Sequence, residues 1–237
     1  MVNGEDMKEL NNIIELKNIN KIYGEKIKTQ VLFDINISFE ENSFNSIIGE
    51  SGSGKSTMLN IIGTLDKPTS GEVYIGGKRT DTMDKTELAF LRNKTIGFIF
   101  QFHYLLPEFT AKENVLLPYK IHNYKVPKEA DEWADELLNI VGLTKVKNNL
   151  ATNMSGGQQQ RTAIARALIN KPKIILADEP TGNLDSETTE NVYGILRDIN
   201  KKYGTTFLII THDQRIAEKT DRIVQVKDGK INLDLRK

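Results

Sequence analysis

Gly49-Glu50-Ser51-Gly52-Ser53-Gly54-Lys55-Ser56 joins a short stretch with apolar ends, Phe44 to Ile48, to a helical stretch, Lys55 to Thr64. Phe44 to Ile48 reads as a buried strand, so the local order is strand, glycine-rich loop, helix. A flexible Gly/Ser loop ahead of an ordinary helix would account for the glycines. It would predict neither a lysine at this spacing nor the strand before it. The spacing is G-x-x-x-x-G-K-[ST]. Glycines let successive backbone N–H groups turn inward around phosphate oxygens, and the helix beginning near Lys55 adds the positive end of its dipole. Gly49, Ser51, Gly52, Ser53, Gly54, Lys55, Ser56 and Thr57 are therefore candidate phosphate-binding residues. Lys55 suits the β- and γ-phosphates of a nucleotide, and the Ser56 hydroxyl suits Mg²⁺.

Around this passage the chain alternates strands and helices. Val31, Phe33, Ile35, Ile37 and Phe39 alternate with Leu32, Asp34, Asn36 and Ser38, which predicts a half-buried strand with the odd-numbered residues inside. Glu72 to Ile75 and Ile96 to Phe100 read as further strands. From Gln101 to about Leu150 strand signals vanish. Ala130, Trp133, Ala134, Leu137, Leu138 and Val141 recur at helical spacing, with Gly142 placed to end the helix. Gly157 to Asn170 is helical. Strand and helix alternate again through Lys173–Ala177, Ser186–Lys202, Thr206–Ile210 and Gln214–Lys219. Asp228-Gly229 between two apolar runs is a hairpin signal. Such alternation predicts a mainly parallel α/β core with an antiparallel part and an inserted α-helical subdomain. The expected bounds are one domain over 12–235, its core about 12–100 and 166–235, the helical part about 101–165, and an extension over 1–11.

Two strand tips carry chemistry. Ile174 to Ala177 leads into Asp178-Glu179, and an apolar strand has no structural need for paired acids at its end. Asp178 would orient Mg²⁺ and Glu179 would face an attacking water. His212 follows Phe207 to Ile210 at a second tip, where ligands collect in open α/β sheets, and suits a γ-phosphate. His103 and His122 are given no role. A second glycine-rich loop, Ser155-Gly156-Gly157-Gln158, heads another helical stretch and can hold an anion, but it has no lysine.

Bulk properties narrow the class. The 237 residues include 32 Lys+Arg against 32 Asp+Glu, which argues against nucleic-acid binding by bulk charge. With no cysteine, thiolate zinc sites and thiol catalysis are excluded. Met1 to Leu10 lacks the basic start and apolar run of a secretory leader, and no stretch approaches the ~18 apolar residues of a membrane span. The expectation is a cytoplasmic protein that reaches a membrane only through a partner.

Taken in order, the Lys55 loop, Gln101, Ser155-Gly156-Gly157-Gln158, Asp178-Glu179, Asn183-Leu184-Asp185 and His212 resemble the ATP-binding subunit of an ABC transporter from about Ile14 to about Leu235. The resemblance implies ATP with Mg²⁺, a homodimer with two ATP molecules sandwiched between subunits, and integral membrane permease partners. It implies that Tyr23 stacks on adenine and that Gln101 contacts Mg²⁺ and the attacking water. It also implies that Ser155, Gly156, Gly157 and Gln158 clamp the γ-phosphate held by the other copy, and that Asp185 crosses the interface. Met154 stands where the family usually has Leu, a change of little volume. Phe100-Gln101-Phe102-His103-Tyr104-Leu105-Leu106-Pro107 resembles the bacterial lipoprotein-release and macrolide- or peptide-export branch.

Other readings fare worse. A GTPase would need Asn-Lys-x-Asp, and Asn170-Lys171-Pro172-Lys173 ends in the wrong charge. Translation-associated relatives carry two ATPase units, and repair-type ones a long coiled coil between Lys55 and Ser155. The same engine driving a membrane complex that moves no substrate, as in cell division, stays open at this point.

Overall fold

A computed structural model describes residues 11–237. The reading of Met1 to Leu10 as free of a secretory leader lies outside them.

The described residues begin with two long antiparallel strands, β1 (Asn12–Tyr23) and β2 (Thr29–Glu40), then cross into a second sheet as β3 (Phe44–Ile48). The glycine-rich loop and helix α1 (Lys55–Ile62) follow, then β4 (Ser70–Ile75) and β5 (Lys78–Arg79) return to the first sheet. Next come α2 (Lys85–Thr95), β6 (Ile96–Phe100), and three helices: α3 (Ala111–His122), α4 (Lys128–Ile140) and α5 (Gly156–Leu168). The remainder is β7 (Ile174–Asp178), α6 (Ser186–Tyr203), β8 (Thr206–Ile210), α7 (Gln214–Ala217), β9 (Arg222–Lys227) and β10 (Lys230–Arg236).

The first sheet runs β2-β1-β4-β5 and is antiparallel. The second runs β10-β9-β3-β8-β7-β6, parallel except for β10 at its edge. Ile174–Ala177 of β7 and Phe207–Ile210 of β8 are apolar on both faces, as strands covered on both sides tend to be, whereas β3 buries Asn45 and Ser46. In β7, Ile174 and Leu176 join one core with Leu208 and Ile210 of β8, against α1 and the antiparallel sheet. Ile175 and Ala177 join the other with Phe207 and Ile209, against α3, α4, α5 and α6. The parallel core, the antiparallel part and the helical insertion expected from the sequence are all present.

One strand reading needs correction. In β2, Ile35, Ile37 and Phe39 are buried, but Phe33 is exposed and Leu32 is buried in its place. Pairing with β1 slips here, Ile19 facing Ile35 while Lys21 faces Leu32. The slip is a bulge. Asp34 takes a φ of 49°, and its N–H donates to Asn20 Oδ1 at 3.0 Å. A one-residue insertion inverts the alternation, so residues on either side of Asp34 follow opposite parity.

Candidate functional site

β3 delivers the chain to the glycine-rich loop at the carboxyl edge of the parallel sheet, beside the ends of β8, β7 and β6. Gly54 caps α1 with a φ of 103°, and a Cβ there would lie 2.7 Å from Leu32 Cδ2. At Gly49 a Cβ would meet the Val226 carbonyl at 2.1 Å, so the loop is pressed against β9. Gly229, in the turn between β9 and β10, donates its N–H to Ser53 O at 3.0 Å. Lys55 is buried, with its ammonium donating to Gly49 O at 2.9 Å and Glu50 O at 2.7 Å. The loop thus wraps a cation whose ligands are its own carbonyls.

β7 ends in Asp178, and burial pushes that carboxyl's pKa up. The Ser56 hydroxyl opposes the rise, the Glu179 charge adds to it, and Lys55 opposes it. Asp178 and Ser56 are thus neighbours across the loop. A hydroxyl and a carboxylate are hard oxygen donors. Among the described residues no three His, Cys, Asp or Glu side chains gather as a metal cage. Two donors with phosphate and water oxygens match the habit of Mg²⁺.

Glu179, just past the strand, has a φ of 47°, and its N–H donates to Ile210 O at 3.0 Å. A left-handed backbone at a non-glycine residue stores strain that the surroundings must hold. His212 Nδ1 lies 3.3 Å from Glu179 Oε2. A cavity of about 150 Å³ opens between Glu179, Thr181, Thr211 and His212. Gln101, at the end of β6, reaches the same turn: its Nε2 lies 2.9 Å from where a Cβ on Gly182 would stand. Lys55 and Ser56 at the start of α1, Asp178 at the end of β7, and Gln101, Glu179 and His212 just past strand ends therefore stand along one edge of the sheet.

Tyr23 stands near the start of α1. Its hydroxyl donates to Asp66 Oδ2 at 2.6 Å and neighbours Thr57, and the Lys21 ammonium sits 4.6 Å from its ring centroid. Burial and the Asp66 contact raise its pKa.

The Ser155 stretch is a helix turn rather than a free loop. Ser155 Oγ accepts from the Gln158 N–H at 3.3 Å, and Gln158 Oε1 accepts from the Ser155 N–H at 3.0 Å. Ser-x-x-Gln is a capping box, which engages the Gln158 carbonyl and leaves first-turn N–H groups without intrahelical acceptors. Among the described residues, the side-chain hydrogen bonds and cavities of this turn include none of Gly49 to Ser56. A Cβ on Gly157 would meet Thr188 Cγ2 at 2.9 Å, so the turn packs on the start of α6. Asp185 caps α6, accepting from the Thr188 N–H at 2.9 Å and hydroxyl at 2.8 Å, and these bonds lower its pKa.

Gln160 was missed. It is fully buried, and its Nε2 donates to the Pro180 carbonyl next to Glu179. Its signal was a glutamine in the same stripe as Ala163, Ile164 and Leu168, where a core residue is expected.

The ABC transporter family profile matches residues 32–182. The lipoprotein-releasing system ATP-binding protein LolD 1 of Rhodopseudomonas palustris is 49% identical over 221 residues, spanning 92% of this chain and 98% of its own. LolD of Anaeromyxobacter dehalogenans is 47% identical over 222 residues, 93% of each chain. Among solved structures, the ATP-binding cassette MJ0796, a dimer in a post-hydrolysis state bound to ADP and Pi, aligns with a TM-score of 0.87. It is 44% identical and covers 94% of this chain and 98% of that one. A phosphate loop, an acid pair and a capped Ser-Gly-Gly-Gln turn on this fold, with likeness along nearly the whole chain, place the protein in the ABC transporter family as an ATP-binding, ATP-hydrolysing subunit.

Proposed function

We propose that this chain binds Mg-ATP, closes head-to-tail on a second copy of itself, and drives a membrane permease that extracts lipoproteins. The observation that carries the catalytic part is the Glu179–His212 contact at 3.3 Å beside the Lys55 loop. The LolD names of full-length relatives support the lipoprotein substrate.

Lys55 would exchange its carbonyl partners for β- and γ-phosphate oxygens, and the loop N–H groups would hold the remainder. Ser56, Asp178 and Gln101 would hold Mg²⁺, which when bound supplies charge neutralisation at the phosphates. Relief of the buried Asp178 carboxylate by that charge gives the site a preference for the loaded ion. Glu179 would orient and deprotonate the attacking water, with His212 fixing the carboxylate and facing the γ-phosphate. Tyr23 would stack on adenine. From the partner, the Ser155–Gly157 turn would present its N–H groups to the γ-phosphate, and Asp185 would lie at the contact. The Gln158 side chain, held in its capping box, contributes by shaping that turn.

A groove of about 560 Å³, lined by Leu65, Phe98, Phe100, Tyr104, Pro118 and Ile121 among others, runs beside the Gln101 segment. Its mostly apolar lining suits a segment of a protein partner. Among the described residues no helix is long and apolar enough to cross a membrane. A permease segment in this groove would hold the chain on the cytoplasmic face and receive the movement of Phe102 to Pro107.

Glu179→Gln keeps the shape and removes the base. It should slow hydrolysis by about 10²-fold or more while leaving ATP binding, and trap an ATP-bound dimer visible by light scattering. A variant that hydrolyses at the parent rate would remove Glu179 from catalysis, and one that stays monomeric with ATP would count against closure.

A further inference from the structure

Lys21 lies on the strand that ends in Tyr23 and is only 8% exposed. A lysine is seldom buried this far unless it is paired. Its ammonium donates to Asp66 Oδ1 and to the Lys67 carbonyl, each at 2.7 Å, and lies 4.6 Å from the Tyr23 ring centroid. That is within the range at which a ring face attracts a cation. The second Asp66 oxygen, Oδ2, accepts from the Tyr23 hydroxyl at 2.6 Å. One carboxylate thus holds the cation and the phenol together, and the cation in turn covers the ring. Residues two apart on a strand share a face, which sets Lys21 beside Tyr23.

The turn that carries Asp66 is itself fixed at both ends. The N–H groups of Leu65 and Asp66 donate to Asn60 O of α1 at 2.9 Å and 3.2 Å, and Asp66 Oδ1 accepts from the Lys67 N–H at 2.7 Å. Farther along, Thr69 Oγ1 accepts from the Ile22 N–H at 2.9 Å, and the Thr69 N–H donates to Asn20 O at 2.8 Å. The end of β1 is therefore laced to the turn that follows α1. Tyr23 still keeps 41% of its surface exposed. The ammonium occupies one face of the ring, which leaves the opposite face for a ligand.

We infer that Lys21 and Asp66 clamp the Tyr23 ring, one from behind and one by its hydroxyl, so that its free face is a fixed platform for the base of the nucleotide. The inference rests on the reading of Tyr23 as the adenine-stacking residue. A ring held before the ligand arrives loses little rotamer freedom on binding. The cation adds a second effect: it draws π density to the rear face and eases repulsion between the ring and a facing base. Because Asp66 is tied to α1, the helix that begins at Lys55 and Ser56, base platform and phosphate loop share one support. Lys21 and Asp66 touch no nucleotide in this scheme; they are positioning residues.

The test measures binding to the full chain of Mg-ADP, which carries the base, and of Mg-diphosphate, which does not, by titration calorimetry. Tyr23→Ala should weaken Mg-ADP about tenfold. Lys21→Met and Asp66→Ala should each weaken it about three- to fivefold, and Lys21→Arg, which keeps a cation over the ring, should stay within about twofold of the parent. Mg-diphosphate should change less than about twofold in every variant, because it gains nothing from the platform. In the Tyr23→Ala background, Lys21→Met should cost nothing more. Tyr23→Phe keeps the ring but frees it from Asp66; it should weaken Mg-ADP about two- to threefold, and it stands in if Lys21→Met fails to fold. A readout without nucleotide is the Tyr23 phenol, followed by carbon NMR of labelled tyrosine. Burial and the Asp66 contact both hold its pKa up, so it should ionise at lower pH in Asp66→Ala. Equal losses for Mg-ADP and Mg-diphosphate, multiplying losses in the double variant, no rescue by arginine, or an unmoved phenol would overturn the clamp. Unchanged Mg-ADP binding in Tyr23→Ala would instead sink the stacking reading, and the phenol titration would still decide whether the ring is held.

Discussion

Asp178 is a residue at which stability and chemistry oppose each other. Its pKa is raised, chiefly by burial, so its contribution to stability is full below the unfolded value and is lost as pH rises through the folded one. Burial therefore makes the ionised form of Asp178 costly in the native state. Asp178→Asn should raise the thermal midpoint, by about 2–4 °C for each kcal/mol relieved in a chain this size, while hydrolysis falls; calorimetry and an ATPase assay on one preparation check both. His103 has the opposite sign. Its lowered pKa gives stability present above about pH 6.5 and lost as pH falls through the folded value. His103→Asn should flatten that acid limb in a stability profile. At this scale the sequence was legible where chemistry demands a residue type at a strand tip. Asp178, Glu179 and His212 could be named from apolar runs ending in polar residues. The left-handed φ of Glu179 and the burial of Gln160 could not, because both are set by neighbours distant in sequence.

Elements were read where local pattern and tertiary burial agree. β3, β6 and β8 have the bounds expected from the sequence, since a strand buried on both faces is fixed by its packing from end to end. β2 was misread at Phe33 because its bulge depends on Asn20, a residue of the partner strand. α2 passed unnoticed: only Leu88 and Leu91 of it are buried, too thin a stripe to see, although Asp84 and Glu87 spell its capping box. The Ser155 turn carries two tasks that can be separated. Ser155→Ala should cost about 1 kcal/mol through the lost cap, read as a small drop in midpoint. ATP affinity of the isolated chain should be kept, and ATP-driven dimerisation should weaken by more than that drop explains. The β9–β10 turn has a stricter demand. Asp228 and Gly229 both have positive φ, 48° and 72°, and a Cβ on Gly229 would lie 2.2 Å from Val31 O. Gly229→Val should lose roughly 1–2 kcal/mol from the left-handed backbone alone, with a further loss in ATP affinity as the Ser53 contact breaks, measurable by titration calorimetry.

Across the whole molecule, the parallel sheet divides two cores, one backed by helices and one by the antiparallel sheet. The candidate site gathers where the two meet at the sheet edge, and the apolar groove lies on the flank where α2 and α3 approach β6. Ile121→Asp, at the groove's exposed rim, should leave ATP hydrolysis by the isolated chain within about twofold, since it touches no site residue. It should abolish co-purification with the proposed permease. Retained co-purification would show that the groove serves something else. The division into a sheet core and a helical insertion was legible in the sequence because strand signals stop at Gln101. The side on which the insertion packs was not, because it depends on which face of β7 and β8 each neighbour covers.

The phosphate loop hangs from β3, whose two partners in the sheet, β8 and β9, come from far along the chain, and Gly229 closes against Ser53 from further still. On a ribosome adding roughly 5–20 residues per second, the residues that brace the loop emerge about 10–40 s after the loop itself. During that interval Lys55 and its glycines exist without walls. A nascent chain therefore gains its grip on nucleotide only after β8, β9 and Gly229 have followed, so nucleotide binding should reward folding that is already done rather than seed it.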